Sequence, residues 1–155
     1  MELFRSAVAS PVGTWVVEGD ERAVTKVLMP HEPTAASRGV APRAVRAAAD
    51  QLAEYFAGRR RRFSVSLARV PATDFQREVW DALRAIPFGQ VRTYGDVAAA
   101  VGRPRAVRAV GNANHVNPWP VFVPCHRVVG AAGLGGYGGG LDVKLFLLDL
   151  EGVRY

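Results

Sequence analysis

The 155-residue sequence predicts an α+β fold: a small N-terminal antiparallel sheet with one helix, then a mainly helical C-terminal domain containing a helix-turn-helix. Three observations carry this. Short β-branched runs separated by Gly- and Pro-containing turns fill the chain up to Met29. From Pro42 onward, apolar residues recur mostly at helical rather than alternating spacing. Finally, two short helical patterns meet across Gly102-Arg103, the second headed by Pro104.

Residues 3–9 and 14–18 read as strands around the turn Ser10-Pro11-Val12-Gly13, and residues 24–29 as a third strand after Gly19-Asp20-Glu21. Residues 30–41 are loop by their Pro, Ser and Gly content. A helix then starts at Pro42, burying Val45, Ala48, Leu52 and Tyr55 on one face and stopping at Gly58. The four-arginine run 59–62 reads as a solvated loop, with non-specific DNA contact as the alternative, residues 63–67 as a strand and residues 68–72 as a linker. These boundaries give two domains, 1–70 and 71–155.

Thr73-Asp74-Phe75-Gln76 has the spacing of a capping box, so a helix opens there with Phe75, Val79, Trp80 and Leu83 as its buried stripe. Ile86-Pro87-Phe88-Gly89 ends it. Thr93-Tyr94-Gly95-Asp96 begins the next helix, over 97–101, and Pro104 suits the first turn of another, over 104–113. On that second helix Ala106, Val110 and Ala113 share one face, and Arg105, Arg108 and Asn112 the other. After a loop over 114–120, Val121 to Val123 suits a buried strand that Pro124 terminates. Residues 130–140 hold seven glycines around Tyr137, either a loop whose backbone can approach a ligand closely or a flexible connection. Asp142 caps a last helix bearing Val143, Phe146, Leu147 and Leu150, with Glu151 at its end.

Charge narrows the function. The net charge is +6, and between residues 97 and 141 there is no Asp or Glu although Arg103, Arg105, Arg108 and Arg127 lie there. An anionic partner is expected on that stretch. No apolar run approaches the about 20 residues of a membrane span and no secretory leader pattern opens the chain, so no membrane partner and a cytoplasmic location are expected. A single cysteine excludes an internal disulfide and a cysteine-rich zinc site, and the three histidines show no metal-ligand spacing.

That cysteine, Cys125, stands between Pro124 and His126-Arg127. A lone cysteine is most often a small buried hydrophobe. Neighbouring positive charge and an imidazole favour the thiolate, the nucleophilic form.

Pro124-Cys125-His126-Arg127-Val128 resembles the active-site signature of the methylated-DNA-protein-cysteine methyltransferases, or O6-alkylguanine-DNA alkyltransferases. The resemblance extends through Phe75-Gln76, Val79-Trp80, Ile86-Pro87, Tyr94-Gly95-Asp96-Val97-Ala98, Arg108-Ala109-Val110-Gly111, Asn117-Pro118 and Tyr137-Gly138-Gly139-Gly140, all in family order. It implies a ribonuclease-H-like N-terminal domain and a winged-helix-like C-terminal one. It also implies a single-turnover repair reaction: O6-alkylguanine, with O4-alkylthymine as a further candidate, is flipped out of DNA and its alkyl group passes irreversibly to Cys125. In this resemblance His126 deprotonates the thiol through water, Glu151 orients the imidazole and Asn117 braces the active-site loop. Tyr94 turns the nucleotide outward and hydrogen-bonds guanine, and Val128, Tyr137 and Gly138 complete the substrate site. Arg108 fills the vacated stack, while Arg105, Ala109, Gly111 and Asn112 line the DNA-binding surface. The implied partner is double-stranded DNA bound in its minor groove by a monomer, with no cofactor and no metal.

Two departures stand out: the family usually has a polar or larger residue at Gly138, and the loop over 130–137 is about one residue shorter than usual. The N-terminal zinc site of some relatives is impossible without its cysteines. Two other classes compete. A Cys-His-Glu hydrolase would use the same trio but has no use for an acid-free arginine helix. A DNA-binding module without transfer chemistry, whether a transcription factor or an alkyltransferase-like damage sensor, would need no acceptor cysteine.

Overall fold

The computed structural model describes residues 2–32, 34 and 39–155. Pro33 and residues 35–38 of the expected loop over 30–41 lie outside the described residues. The chain forms two compact units, Met1–Val70 and Pro71–Tyr155.

In the first unit, β1 (Phe4–Ser10), β2 (Gly13–Gly19) and β3 (Val24–Leu28) form an antiparallel sheet in sequence order. The tight connection from Ser10 to Gly13 is fixed by the Ser10 hydroxyl, which donates to the Gly13 carbonyl at 2.7 Å and accepts from Trp15 Nε1 at 3.0 Å. Helix α1 (Arg43–Phe56) lays its expected stripe, Val45, Ala48, Leu52 and Tyr55, against that sheet, joined by Ala49. Pro42 is the N-cap itself rather than a first-turn residue. Trp15, Val17, Val24 and Val27 close the core from the sheet side.

The expected strand over 63–67 reduces to one parallel bridge, Val24 to Leu67. Its first half is diverted by Gln51, whose side chain accepts from the Ser64 amide at 2.9 Å and donates to the Ser64 hydroxyl at 3.1 Å. Those bonds replace the ladder a strand would need.

In the second unit the capping box is present: the Thr73 hydroxyl accepts from the Gln76 amide and the Gln76 side chain accepts from the Thr73 amide, opening α2 (Asp74–Arg84). Val79, Trp80 and Leu83 are buried, while Phe75 is half-buried under the Arg103 guanidinium. Thr93 and Asp96 form a second capping box, so α3 spans Tyr94–Ala100 and begins three residues earlier than expected. Helix α4 spans Val107–His115. Its start is a correction. Pro104 occupies the second position of a turn closed by the Ala106 amide on the Arg103 carbonyl at 2.9 Å, a place proline favours, so Arg105 lies in the turn and not on the helix. Arg105 therefore does not share a helix face with Arg108 and Asn112. The helix also runs past Ala113 and includes Asn114.

Trp80 holds α4 in place. Its indole donates to the Ala113 carbonyl at 2.9 Å, and its ring meets Trp119 edge-on at 5.6 Å.

The expected strand over Val121 to Val123 is instead a tight turn. The Val123 amide bonds the Trp119 carbonyl at 2.8 Å, and Val121 adopts φ 76°, a costly conformation for a β-branched residue. The run is buried as its composition implies, but Asn117 takes the Val123 carbonyl and removes it from any ladder. A 3-10 turn, Cys125–Arg127, follows directly and leads into β5 (Val128–Val129), parallel to β4 (Arg92–Thr93). Helix α5 (Leu141–Leu150) is capped by Gly140 rather than Asp142 and buries Val143, Lys144, Leu147 and Leu148; Phe146 and Leu150 are only half-buried.

Thr73 is exposed, so its cap can be removed without opening the core. Thr73→Ala is expected to lower unfolding free energy by about 1 kcal/mol in urea titration, with Thr73→Ser restoring most of it. A change indistinguishable from zero would show that the box contributes nothing net.

Candidate active site

The site is assembled around the turn at Cys125. Cys125 is 4% exposed, and its Sγ lies 3.8 Å from the Tyr137 hydroxyl. Asn117 sits beneath it. Its amide donates to the Val123 carbonyl at 2.8 Å, its Oδ1 accepts from the Trp119 amide at 3.0 Å, and it also hydrogen-bonds the Cys125 side chain. One asparagine thus ties both sides of the 117–123 turn to the sulfur.

Next to the thiol, His126 is fully buried and its Nε2 lies 2.7 Å from Glu151 Oε2. Glu151 is the C-cap of α5 and is itself buried. Arg127 grips the same carboxylate with two parallel bonds, Nε to Oε1 at 2.8 Å and an Nη to Oε2 at 2.9 Å, and donates its other Nη to the Ile86 carbonyl at 2.7 Å. The Gly89 amide adds a bond to Oε1 at 3.0 Å. Arg127 lies in the stretch expected to face an anionic partner. Its charge is instead engaged by Glu151, which the sequence places 24 residues away.

These contacts set the protonation states. Burial would raise the Glu151 carboxyl, but hydrogen bonds from His126 and Arg127, with their charges, outweigh it and hold Glu151 below the ordinary carboxylate range. Burial pushes the His126 imidazole down despite Glu151, helped by the neighbouring positive charges, so the ring rests neutral at pH 7. Burial also pushes the Cys125 thiol up, against the opposing pull of Asn117, Tyr137 and Lys144. The resting pair is therefore a neutral thiol and a neutral imidazole; a base must act when the sulfur reacts.

Lys144 is a site residue that sequence reasoning misses. Fully buried on α5, its Nζ donates to the Val128 carbonyl at 2.7 Å and to the Gly136 carbonyl at 3.1 Å, and burial lowers its pKa to about 8. It fastens the glycine loop to β5. The available signal is a lysine inside an otherwise apolar stripe, next to Val143. Asn114 escapes sequence reasoning as well: its amide approaches the Cys125 carbonyl at 3.4 Å from the inner face of α4.

Of the expected substrate residues, Val128 is buried in β5 and Tyr137 reaches the sulfur. Tyr94, at the first position of α3, is half-buried; burial and the nearby Cys125 raise its phenol, and the Gly136 backbone hydrogen-bonds it. Gly135 packs on that ring at φ 76°, where an added Cβ would lie 3.2 Å from the ring carbon Cε2 and 3.1 Å from the Gly130 amide nitrogen. Only glycine fits such a position without displacing Tyr94. Gly138 is exposed in the turn closed by the Gly140 amide on the Tyr137 carbonyl.

Arg108, Ala109 and Asn112 are exposed on α4 and Gly111 is half-exposed, with open space where its Cβ would be. Arg108, Ala109 and Asn112 lie on the side of α4 away from Asn114. Arg105 is exposed in the preceding turn. Among the described residues no cluster of His, Cys, Asp and Glu could hold a metal ion, and no helix is long and apolar enough to cross a membrane.

Residues 74–153 match the family model described as 6-O-methylguanine DNA methyltransferase, DNA binding domain. Over 148 residues the chain is 46% identical to a methylated-DNA-protein-cysteine methyltransferase of Mycolicibacterium paratuberculosis, an alignment spanning 93% of this chain and 89% of that protein. It is 40% identical over 161 residues to the constitutive enzyme of that name from Bacillus subtilis, spanning 98% and 97%. The crystal structure of Mycobacterium tuberculosis OGT in complex with DNA superposes with a TM-score of 0.85 at 42% identity, covering 98% of this chain and 93% of that one. The chain belongs to the methylated-DNA-protein-cysteine methyltransferase family.

Proposed function

We propose that this protein repairs DNA by moving the alkyl group of O6-alkylguanine onto Cys125. The observation that carries this reading is a buried thiol, the chain's one cysteine, whose neighbouring imidazole is locked to a buried carboxylate. Family membership supplies the reaction class, transfer from alkylated DNA to a protein cysteine, and Cys125 alone can accept.

The chemistry follows from the contacts. A guanine held in a paired stack cannot bring its O6-alkyl carbon to the buried thiol, so it is extruded at a cost of a few kcal/mol. Arg108, exposed on α4 among the small residues Ala109 and Gly111, enters the stack in its place, and those small residues let the helix approach the floor of the minor groove. Tyr94 and Tyr137 receive the flipped base beside the sulfur, with the phenol of Tyr94 donating to the purine ring. His126 then takes the thiol proton through water, the S–C bond forms in line as the C–O6 bond breaks, and the released electron pair returns O6 to a carbonyl. Guanine regains its ring proton, balancing the one lost by the thiol, and the imidazolium formed meanwhile is stabilised by Glu151. The thioether product does not hydrolyse, so each monomer acts once.

Incubation with a duplex containing O6-methylguanine is expected to add one methyl per protein, mapped to the Cys125 peptide by mass spectrometry and absent in Cys125→Ser. Turnover beyond one equivalent, or methylation elsewhere, would overturn the reading. Arg108→Ala is expected to slow repair of duplex by on the order of ten- to a hundredfold, the equivalent of about 1.4–2.8 kcal/mol of lost compensation for extrusion. On an unpaired oligonucleotide it should change the rate less than about twofold. Equal losses on both substrates would make Arg108 a phosphate ligand only.

A further inference from the structure

Among the described residues, the buried side-chain polar atoms left without a hydrogen-bond partner are Asn114 Oδ1 and His126 Nδ1. Their residues meet at one peptide unit. The Asn114 amide nitrogen approaches the Cys125 carbonyl, which belongs to the bond joining Cys125 to His126.

Both atoms are acceptors. Turning the Asn114 amide over would set its oxygen against the Cys125 carbonyl oxygen, so the network fixes Oδ1 as the free end. A neutral His126 must carry its proton on Nε2 to meet the Glu151 carboxylate at 2.7 Å, which leaves a bare lone pair on Nδ1. The nearby cations do not serve them. Arg127 donates to Glu151 and Ile86, and Lys144 to Val128 and Gly136. Buried acceptors in natural proteins find a donor, and a water with two to four polar partners is the usual one.

We infer that Asn114 is a positioning residue for the transfer: its Oδ1 and His126 Nδ1 hold between them the water that carries the Cys125 proton to the imidazole. This rests on the reading of Cys125 as alkyl acceptor. One O–H of the water donates to Asn114 Oδ1 and the other to His126 Nδ1, and its oxygen accepts from the thiol S–H. As the sulfur attacks, its proton passes to the water oxygen and the water's own proton passes to Nδ1, leaving thiolate, water and imidazolium. Asn114 never receives a proton. It fixes the water's orientation so that the second O–H points at the base. Because Asn114 also lies on α4, the helix bearing Arg108, the element that docks on DNA holds one end of the relay.

The test compares single-turnover methyl transfer by wild type and Asn114→Leu at saturating methylated duplex from about pH 6 to about pH 9. At neutral pH the variant should be slower by about tenfold or more, with duplex affinity unchanged within about twofold. The deficit should narrow as pH rises, because hydroxide then removes the thiol proton directly. The charged and titratable groups around the relay, Tyr94 from α3, Tyr137 from the glycine loop, Lys144 and Glu151 from α5, and Arg127, are the same in both proteins, so the ratio of rates is read. A wild-type rate, or a deficit constant across pH as a purely structural role would give, overturns the inference. If wild type itself leaves Cys125 unmethylated, the parent reading falls and this inference with it. A methylating wild type beside an indifferent variant overturns the inference alone. A high-resolution crystal structure of the unalkylated wild type provides a second test, which does not depend on the variant folding. Density within about 3.2 Å of both Asn114 Oδ1 and His126 Nδ1, and in contact with Sγ, supports the inference; its absence overturns it.

Discussion

The carboxylate of Glu151 is the point on which the second unit turns. A buried carboxylate costs several kcal/mol in lost hydration unless charge and hydrogen bonds replace the water. Here Arg127 grips both oxygens, His126 takes Oε2 and the Gly89 amide takes Oε1. The partners come from two parts of the chain, the turn after α2 and the 3-10 turn before β5, and the carboxylate itself from the end of α5. Satisfying one anion therefore fixes three segments relative to one another and presents the imidazole edge beside the thiol. Loss of the carboxylate alone would leave Arg127 buried and unpaired, the arrangement that typically costs about 3–5 kcal/mol.

The same cluster explains why this cysteine is both protected and usable. Burial keeps the thiol protonated at rest, which suits a sulfur that reacts only once in the proposed reaction. In the proposed reaction activation is local and brief: the imidazole takes the proton as the flipped base arrives, and its new charge lies against a carboxylate already held ionised. Lys144 contributes a positive field near the sulfur and pins the Gly136 carbonyl, while the Gly136 backbone also meets Tyr94. The glycine loop is thus held at both of its functional contacts despite its short, side-chain-poor sequence.

Much of this is legible in the sequence, and the misses share a cause. The Thr73 cap, the α1 stripe and the burial of Trp80 follow from local spacing, which reports local structure. The expected strand before Cys125 fails because composition reports burial and not hydrogen bonding: Asn117 bonds the Val123 carbonyl and the run folds into a turn. Pro104 suits a helix opener, yet proline serves equally in a turn, and the Arg103 carbonyl decides between them. The proximity of Cys125 and His126 is plain, and Glu151 comes from family resemblance. The true partner of Arg127 is hidden because an ion pair 24 residues apart leaves no periodic trace. Lys144 and Asn114 are visible only as polar residues in apolar company.

The central claim is that Glu151 holds His126 as a neutral base with its proton on Nε2, leaving Nδ1 free for the Cys125 proton. Nitrogen-15 NMR of the imidazole in the unalkylated wild-type protein tests it without any substitution. At pH 7 the account predicts a neutral ring in the Nε2–H form, with protonation only below the ordinary histidine range because burial lowers its pKa. A ring protonated on Nδ1 at pH 7, whether as the other tautomer or as imidazolium, would have no lone pair to offer and would contradict the account.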